Sequence, residues 1–231
     1  AGKHGIGVIS IGSLSSEGLN SLSTQWGFAE AAAAKHGQTV DRKDWRVLLS
    51  WHIAETRDKA IAEARQGLMR HHNEYIVGTL QRPGATPFHD PDEAVDKTAF
   101  GAGAAATIGT PDDLVARIKS VYEVSGGFGT VVGFVHDWAN PENTMRSWDM
   151  VARYVVPEIN GYLAGLRASR EFVATNRGVF DRAKEAIMAK ITENEAARAA
   201  LAVTRGSRLG EVASASNVPD LEEARARANT R

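Results

Sequence analysis

The chain has 231 residues, of which 43% are hydrophobic and 24% are charged, a composition typical of a folded globular protein. Lys and Arg number 27 against 28 for Asp and Glu, so no strong field of either sign attracts nucleic acid or an anionic membrane surface. The absence of cysteine excludes disulfides, thiolate metal sites and a cysteine nucleophile, and no apolar run approaches the ~20 residues of a membrane-spanning helix. We therefore expect a cytoplasmic protein whose partner is a small molecule, with no nucleic acid and no membrane.

The first 75 residues alternate between strand and helix patterns. The β-branched run IGVISI predicts a buried strand over 6–11, and the Ala-rich stretch that follows predicts a helix over 19–35. The run WRVLLSWHI predicts a second strand over 45–53, followed by a helix over 58–75 with apolar residues at helical spacing.

Residues 79–107 contain three prolines and a Gly/Ala cluster, which predicts a long insertion with little regular structure. Insertions of this length in a compact domain are usually binding loops or lids. Thr110, followed by Pro111 and two aspartates, predicts a capped helix to about 124. A third buried strand is predicted over 130–135 and a further helix over 143–154.

After Pro157 the sequence loses its strand patterns. Residues 160–231 are rich in Ala, Arg and Glu, which predicts two or three amphipathic helices with a frayed end. We therefore predict a βα domain over 1–159, with the insertion at about 79–107, and a helical C-terminal extension over 160–231.

Strands that alternate with helices through long connections indicate an α/β fold with a parallel sheet. Three βα units are too few to close a (β/α)8 barrel, which takes about 250 residues. The three predicted units therefore do not form a complete barrel by themselves.

Five short blocks, in this order, resemble the C-terminal half of the luciferase-like flavin-dependent monooxygenases, and among them the limonene 1,2-monooxygenase branch. The blocks are HGIGVISIG, DWRVLLSWHIAET, IGTPDDLVARI, SGGFGTVVGFVHDWA and RSWDMVARYVVP. The resemblance covers residues 1 to about 162, and it is the ordered set, not any one block, that makes it specific.

The resemblance implies a partial TIM-type barrel made of the last three βα units, plus a C-terminal helical tail. It also implies a reduced flavin, FMN or FAD, that is supplied by a separate flavin reductase with NAD(P)H as the indirect electron source. The implied reaction uses O2 to oxygenate a small apolar organic substrate such as a monoterpene, and a homodimer or other oligomer is expected. Because the N-terminal strands of the family have no counterpart here, the chain is expected to be a fragment that is inactive alone.

Polar residues at the predicted strand ends are the candidate site. Ser10, Gly12 and Ser13 follow the first strand, where a glycine lets a planar ring approach the backbone and hydroxyls can bond flavin oxygens. A plain βα turn explains the same residues equally well, and the resemblance favours the cofactor role. Trp138, after the third strand, is a further candidate wall for the flavin, with packing against helices as the alternative.

Two histidines are the candidate catalytic residues. His52 ends the second strand and His136 follows the third, so in a parallel barrel both lie near one mouth, where imidazoles can transfer protons near neutral pH. A structural role for each remains the alternative. If the third strand stays regular through Trp138, alternation places His136 and Trp138 on one face and Asp137 on the other. No metal site is predicted, because His71 and His72 are adjacent on a helix and cannot chelate one ion together.

The sequence thus predicts a flavin-dependent monooxygenase. Two alternatives stay open: a non-catalytic flavin-binding or assembly module, and a deazaflavin-dependent oxidoreductase of the same superfamily.

Overall fold

A parallel sheet organises residues 1–164 of the computed structural model, which describes residues 1–11, 16–101 and 104–205. Within these residues the sheet has four strands: β1 (Val8–Ser10), β2 (Trp45–Ile53), β3 (Ala106–Gly109) and β4 (Thr130–Phe134). The predicted α/β class with a parallel sheet is confirmed.

Strand β2 is the centre of the sheet. Its first residues pair with β1, with Val8 opposite Trp45, and its last residues pair with β3, with Ala106 opposite Ser50. Strand β4 pairs with β2 over 46–50, where Phe134 lies opposite Ser50. Since a strand has two edges, β1 and β3 share one edge of β2 and β4 occupies the other. Closure of this sheet into a (β/α)8 barrel stays a prediction.

Helices surround the sheet in the order that the sequence predicts. Within residues 1–164 they are α1 (Ser16–Lys35), α2 (Arg57–His71), α3 (Pro91–Val95), α4 (Pro111–Ser125), α5 (Pro141–Met150) and α6 (Val156–Ile159). Three π-helical segments (His72–Thr79, Asp96–Phe100, Val151–Val155) and two 3-10 turns (Gly2–His4, Arg42–Asp44) extend or precede these elements. Thr110 forms the predicted cap of α4 in a capping box with Asp113.

The insertion contains more regular structure than its composition predicts. Helix α3, the π-helical segment after it and strand β3 all lie within 79–109. The prediction of little regular structure was therefore wrong there. A four-residue strand beside a Gly/Ala cluster gives no periodic signal, because its β character depends on pairing with β2.

The two faces of β2 support two separate cores, because alternate side chains of a strand point in opposite directions. One core packs α1, α4 and α5 against Val47, Leu49 and Trp51. The other packs α2 and α3 against β3 and contains Leu68 and Trp138. This division decides which side chains reach which cavity.

Residues 165–205 form a separate helical unit. Its helices are α7 (Ala164–Thr175), α8 (Arg177–Glu193) and α9 (Glu195–Arg205). The predicted helical extension over 160–231 stays a prediction, because residues 206–231 lie outside the described residues. Phe172 and Phe180 contact edge to face across the break between α7 and α8, with ring centroids 6.4 Å apart. No helix in the described ranges is long and apolar enough to cross a membrane.

Candidate functional site

A cavity of about 760 Å³ opens where β1 and β4 end. Ile11 lines it just after β1, Phe134 lines it at the end of β4, and Ser50 lines it from β2. Ligands of parallel α/β sheets bind outside the carboxyl ends of the strands, so this is the expected place for a site. Further lining residues come from α2 and the insertion: Leu68, His71, His72, Tyr75, Ile76, Leu80, Phe88 and Lys97.

His136 and Trp138 form one wall of this cavity. Their rings are stacked, with centroids 4.2 Å apart and planes 5° apart. His136 Nε2 lies 2.8 Å from the hydroxyl oxygen of Ser50, which ties the imidazole to the central strand. The predicted candidates from the third strand are therefore brought together, and both line the cavity.

A close approach between α2 and the loop after β4 holds this wall in place. A Cβ at Gly67 would overlap the carbonyl oxygen of Trp138, so only glycine lets the helix pack this near the loop. Arg70 and His71, on the same helix, contact the Asp137 carboxylate at 3.1 and 3.5 Å. Asp137 thus pairs with α2, where His71 also contacts the His136 ring. Because β4 ends at Phe134, strand alternation does not extend to these residues, and their placement depends on the packing of α2.

The environment of His136 favours the neutral imidazole. Burial lowers its pKa to about 4, the nearby His71 adds to the effect, and Asp137 opposes it. Burial also lowers the pKa of His71, against the opposing influence of Asp137. At neutral pH the His136 ring is therefore uncharged, with one nitrogen that donates and one that accepts.

Two ring nitrogens in this wall lack a partner. His136 Nδ1 and Trp138 Nε1 are buried and have no hydrogen-bond partner among the described residues. Buried polar groups are almost always hydrogen-bonded, and those that are not often mark functional positions. Both nitrogens therefore have hydrogen-bonding capacity for a ligand.

His52 lies in a different environment. Its imidazole is 4% exposed and does not line the cavity. Its Nε2 lies 3.0 Å from a carboxylate oxygen of Glu63 in α2, and the other carboxylate oxygen of Glu63 pairs with Arg146 in α5. This network joins the end of β2 to two helices. The catalytic role of His52 stays a prediction.

The predicted cofactor residues after β1 are only partly described. Ser10 is buried; its hydroxyl donates to Gln25 Oε1 at 2.7 Å and accepts from Trp45 Nε1 at 2.9 Å. These contacts give the hydroxyl a structural role, and its part in holding a cofactor stays a prediction. Gly12 and Ser13 lie outside the described residues.

Sequence reasoning considered His71 only as a metal ligand and missed it as part of the cavity. Its ring lies edge-on to His136, with centroids 5.0 Å apart, and Tyr75 lies one turn further along at 5.4 Å from His71. The signal in the sequence is the i, i+4 spacing of the two aromatic rings, which places both on one face of the helix.

The fold and this cavity define a parallel α/β protein with a cavity at the ends of its strands. No family model matches the chain. The chain is 38% identical over 179 residues to 4-hydroxyprotoasukamycin monooxygenase of Streptomyces nodosus subsp. asukaensis. This match covers 75% of this chain and 47% of that protein. It is 35% identical over 184 residues to limonene 1,2-monooxygenase of Rhodococcus erythropolis, over 78% of this chain and 46% of that protein.

The chain thus spans about half the length of these curated relatives. The segment that matches them belongs to the luciferase-like monooxygenases, which confirms the resemblance predicted from the five blocks.

The fold is also similar to a solved structure. The oxygenating constituent of 3,6-diketocamphane monooxygenase from Pseudomonas putida, a type II Baeyer-Villiger monooxygenase in complex with FMN, matches with a TM-score of 0.52. The sequences are 23% identical, and the match covers 69% of this chain and 44% of that chain. At this identity the similarity supports the fold alone.

Proposed function

We propose that this chain provides the flavin and substrate cavity of a flavin-dependent monooxygenase. The observation that carries the proposal is the cavity at the strand ends, walled by the stacked rings of His136 and Trp138. The relatives of the matched segment are monooxygenases, and the structural neighbour with the similar fold is an FMN complex, which supports flavin as the cofactor.

The residues present fit a flavin. The ring system of a flavin is planar and can stack on an indole or an imidazole. Its carbonyl oxygens and ring nitrogens can form hydrogen bonds with the unpaired nitrogens of His136 and Trp138. Trp138 can only donate through Nε1, so it selects an acceptor on the ligand. Bound in reduced form, FMN or FAD would supply two electrons for O2 activation, so that one oxygen atom enters the substrate and the other leaves as water.

The protein's contribution is orientation and exclusion of water. His136 is neutral at pH 7 and bonded to Ser50, so it can hold a proton at one ring nitrogen without placing a charge in the cavity. Desolvation by the surrounding aromatic side chains strengthens such a hydrogen bond.

The lining favours a small apolar organic substrate, such as a monoterpene. Leu68, Ile76 and Leu80 face the cavity from α2 and the segment after it, and Phe88 and Phe134 add aromatic surface. One of the relatives is a limonene 1,2-monooxygenase, whose name matches this class. In this proposal a separate flavin reductase uses NAD(P)H to supply the reduced flavin, and the protein works as a homodimer or other oligomer.

Turnover with labelled oxygen tests the function. Chemically reduced FMN, ¹⁸O2 and limonene are mixed with a complete version of the protein, in which these 231 residues follow the N-terminal strands of the family, and the product is examined by mass spectrometry. We expect one ¹⁸O atom per product molecule, at least about tenfold less product with Trp138→Phe or His136→Phe, and unchanged product with the exposed-site control His89→Gln. Replacing FMN by FAD or a reduced deazaflavin identifies the cofactor.

Equal turnover in the His136, Trp138 and His89 variants would exclude this wall from the site. Oxidation of the deazaflavin without ¹⁸O incorporation would contradict a monooxygenase.

A further inference from the structure

A second cavity, of about 740 Å³, lies on the opposite face of the sheet. Ser50 lines the first cavity and Trp51, the next residue in β2, lines the second. Because consecutive side chains of a strand point to opposite faces, the two cavities are separated by the sheet itself. A ligand in one cavity does not occupy the other.

The walls of the second cavity are built from two tryptophans and aliphatic side chains. Trp51 and Trp148 pack with ring centroids 4.9 Å apart and planes inclined by 52°. A Cβ at Gly133 of β4 would overlap both rings, so this close arrangement requires glycine there. The aliphatic wall comes from α4, β4 and the segment after α5: Leu114, Ile118, Val131, Val151 and Val155.

One buried donor in this apolar surface has no partner. The indole of Trp51 is 8% exposed, and its Nε1 is buried without a hydrogen-bond partner among the residues described. An unpaired N–H in an apolar environment is unfavourable, so an acceptor brought to it is favoured. Because the indole N–H can only donate a hydrogen bond, the group that binds to it must be a hydrogen-bond acceptor.

The charges at this cavity do not select an ion. Lys119 lines it, but its ammonium group already pairs with Glu158 at 3.2 Å. Glu123 also lines it and would repel an anion. The surface therefore suits an uncharged ligand.

We infer that this second cavity binds an uncharged apolar molecule that carries one hydrogen-bond acceptor, such as a ketone or an ester, with the acceptor on Trp51 Nε1. Its volume lies within the ~300–1,000 Å³ range of small-molecule sites. The site is distinct from the flavin and substrate cavity of the proposed function and does not depend on it.

The test uses the five tryptophans as reporters. In the ¹⁵N-labelled chain each indole N–H gives one NMR signal, which is assigned with Trp→Phe variants. Menthone and p-menthane, which share a carbon skeleton and differ by one carbonyl group, are titrated separately. We expect menthone to move the Trp51 and Trp148 signals, also when the chain is saturated with FMN. A shift of Trp138 beside these two does not count against the second site, because the first cavity accepts monoterpenes under the proposed function.

Trp51→Phe isolates the hydrogen bond because it keeps an aromatic ring in the wall. It should weaken menthone binding by about five- to tenfold and change p-menthane binding by less than about twofold. Trp26→Phe, in the core around α1, is the matched control and should change neither.

Three results would overturn the inference: no shift at Trp51 up to the solubility of menthone, a shift confined to Trp138, or equal weakening of both ligands by Trp51→Phe. None of these bears on flavin binding, so the second site can fail while the proposed function stands. The spectra of the unmodified chain decide the first two results even if a variant does not fold.

Discussion

The imidazole of His136 lies parallel to the indole of Trp138, with 4.2 Å between ring centroids. The two residues lie shortly after the end of β4 at Phe134, with Asp137 between them. The Asp137 carboxylate contacts Arg70 and His71 of α2. The pair gives the cavity at the strand ends a flat, neutral aromatic wall. Each prediction below tests one element that holds this wall or the sheet beneath it.

The burial of His136 makes the stability of the protein depend on pH. Its pKa is about 4 in the folded chain against about 6.5 when unfolded, so between these values the unfolded chain binds more protons. The free energy of unfolding should therefore be constant above about pH 6.5 and fall as the pH is lowered towards 4. We expect a loss of about 1–2 kcal/mol from this group, less than the shift alone implies because the ring is partly exposed.

Urea unfolding between pH 4 and 8 measures this loss. His136→Gln should flatten the pH dependence, and the exposed control His89→Gln should not. If His136→Gln shows the same pH dependence of stability as the original chain, the pH dependence does not come from His136.

Glu63 should be important for stability because its carboxylate contacts side chains of two different elements at once. Its side chain is 11% exposed and contacts both His52 and Arg146. Glu63→Gln removes the charge and leaves Arg146 without its buried partner, so we expect a loss of about 2–4 kcal/mol in the free energy of unfolding. The control is Glu93→Gln, which breaks an exposed pair with Lys97 and should cost less than about 1 kcal/mol. Similar costs for the two variants would show that the network around His52 is not a buried one.

Gly67 should not tolerate a side chain. Alanine there would push the loop that carries Trp138 away from α2, which should destabilise the chain by about 2 kcal/mol or more and weaken ligand binding in the first cavity. Gly27→Ala in α1 is the matched control, because nothing lies within 4 Å of its added Cβ. In that helix alanine should raise the free energy of unfolding by about 0.5–1 kcal/mol. Thermal unfolding of both variants gives the comparison, and a stabilised Gly67→Ala would refute the close approach.

The sequence was sufficient for the elements that carry strong local signals. Strand β2 has the bounds predicted from its apolar run. Thr110 caps α4 in a capping box with Asp113, one of the two aspartates on which the prediction of a capped helix was based. Strand β3 could not be predicted, because four residues in a Gly/Ala-rich segment become a strand only by pairing with β2. The π-helical continuation of α2 likewise has no established sequence signal.

For the site, the sequence was sufficient to name His136 and Trp138 as candidates, but strand alternation does not explain their stacking, because β4 ends at Phe134. The sequence could not show that His71 joins them, since that depends on how closely α2 packs at Gly67. Nor could it show that His52 is paired with Glu63, because the pair forms only when α2 folds back on β2. Contacts between elements are set by packing, which local patterns do not encode.

The most direct test of the central claim is the NMR signal of the Trp138 indole N–H during a titration of the labelled chain with FMN. If the cavity at the strand ends holds the flavin, the Trp138 signal moves in proportion to the bound fraction, while the Trp51 signal, on the other face of the sheet, stays in place. If Trp138 does not move at an FMN concentration that saturates the chain, or if FMN does not bind at all, the flavin site proposed here is wrong.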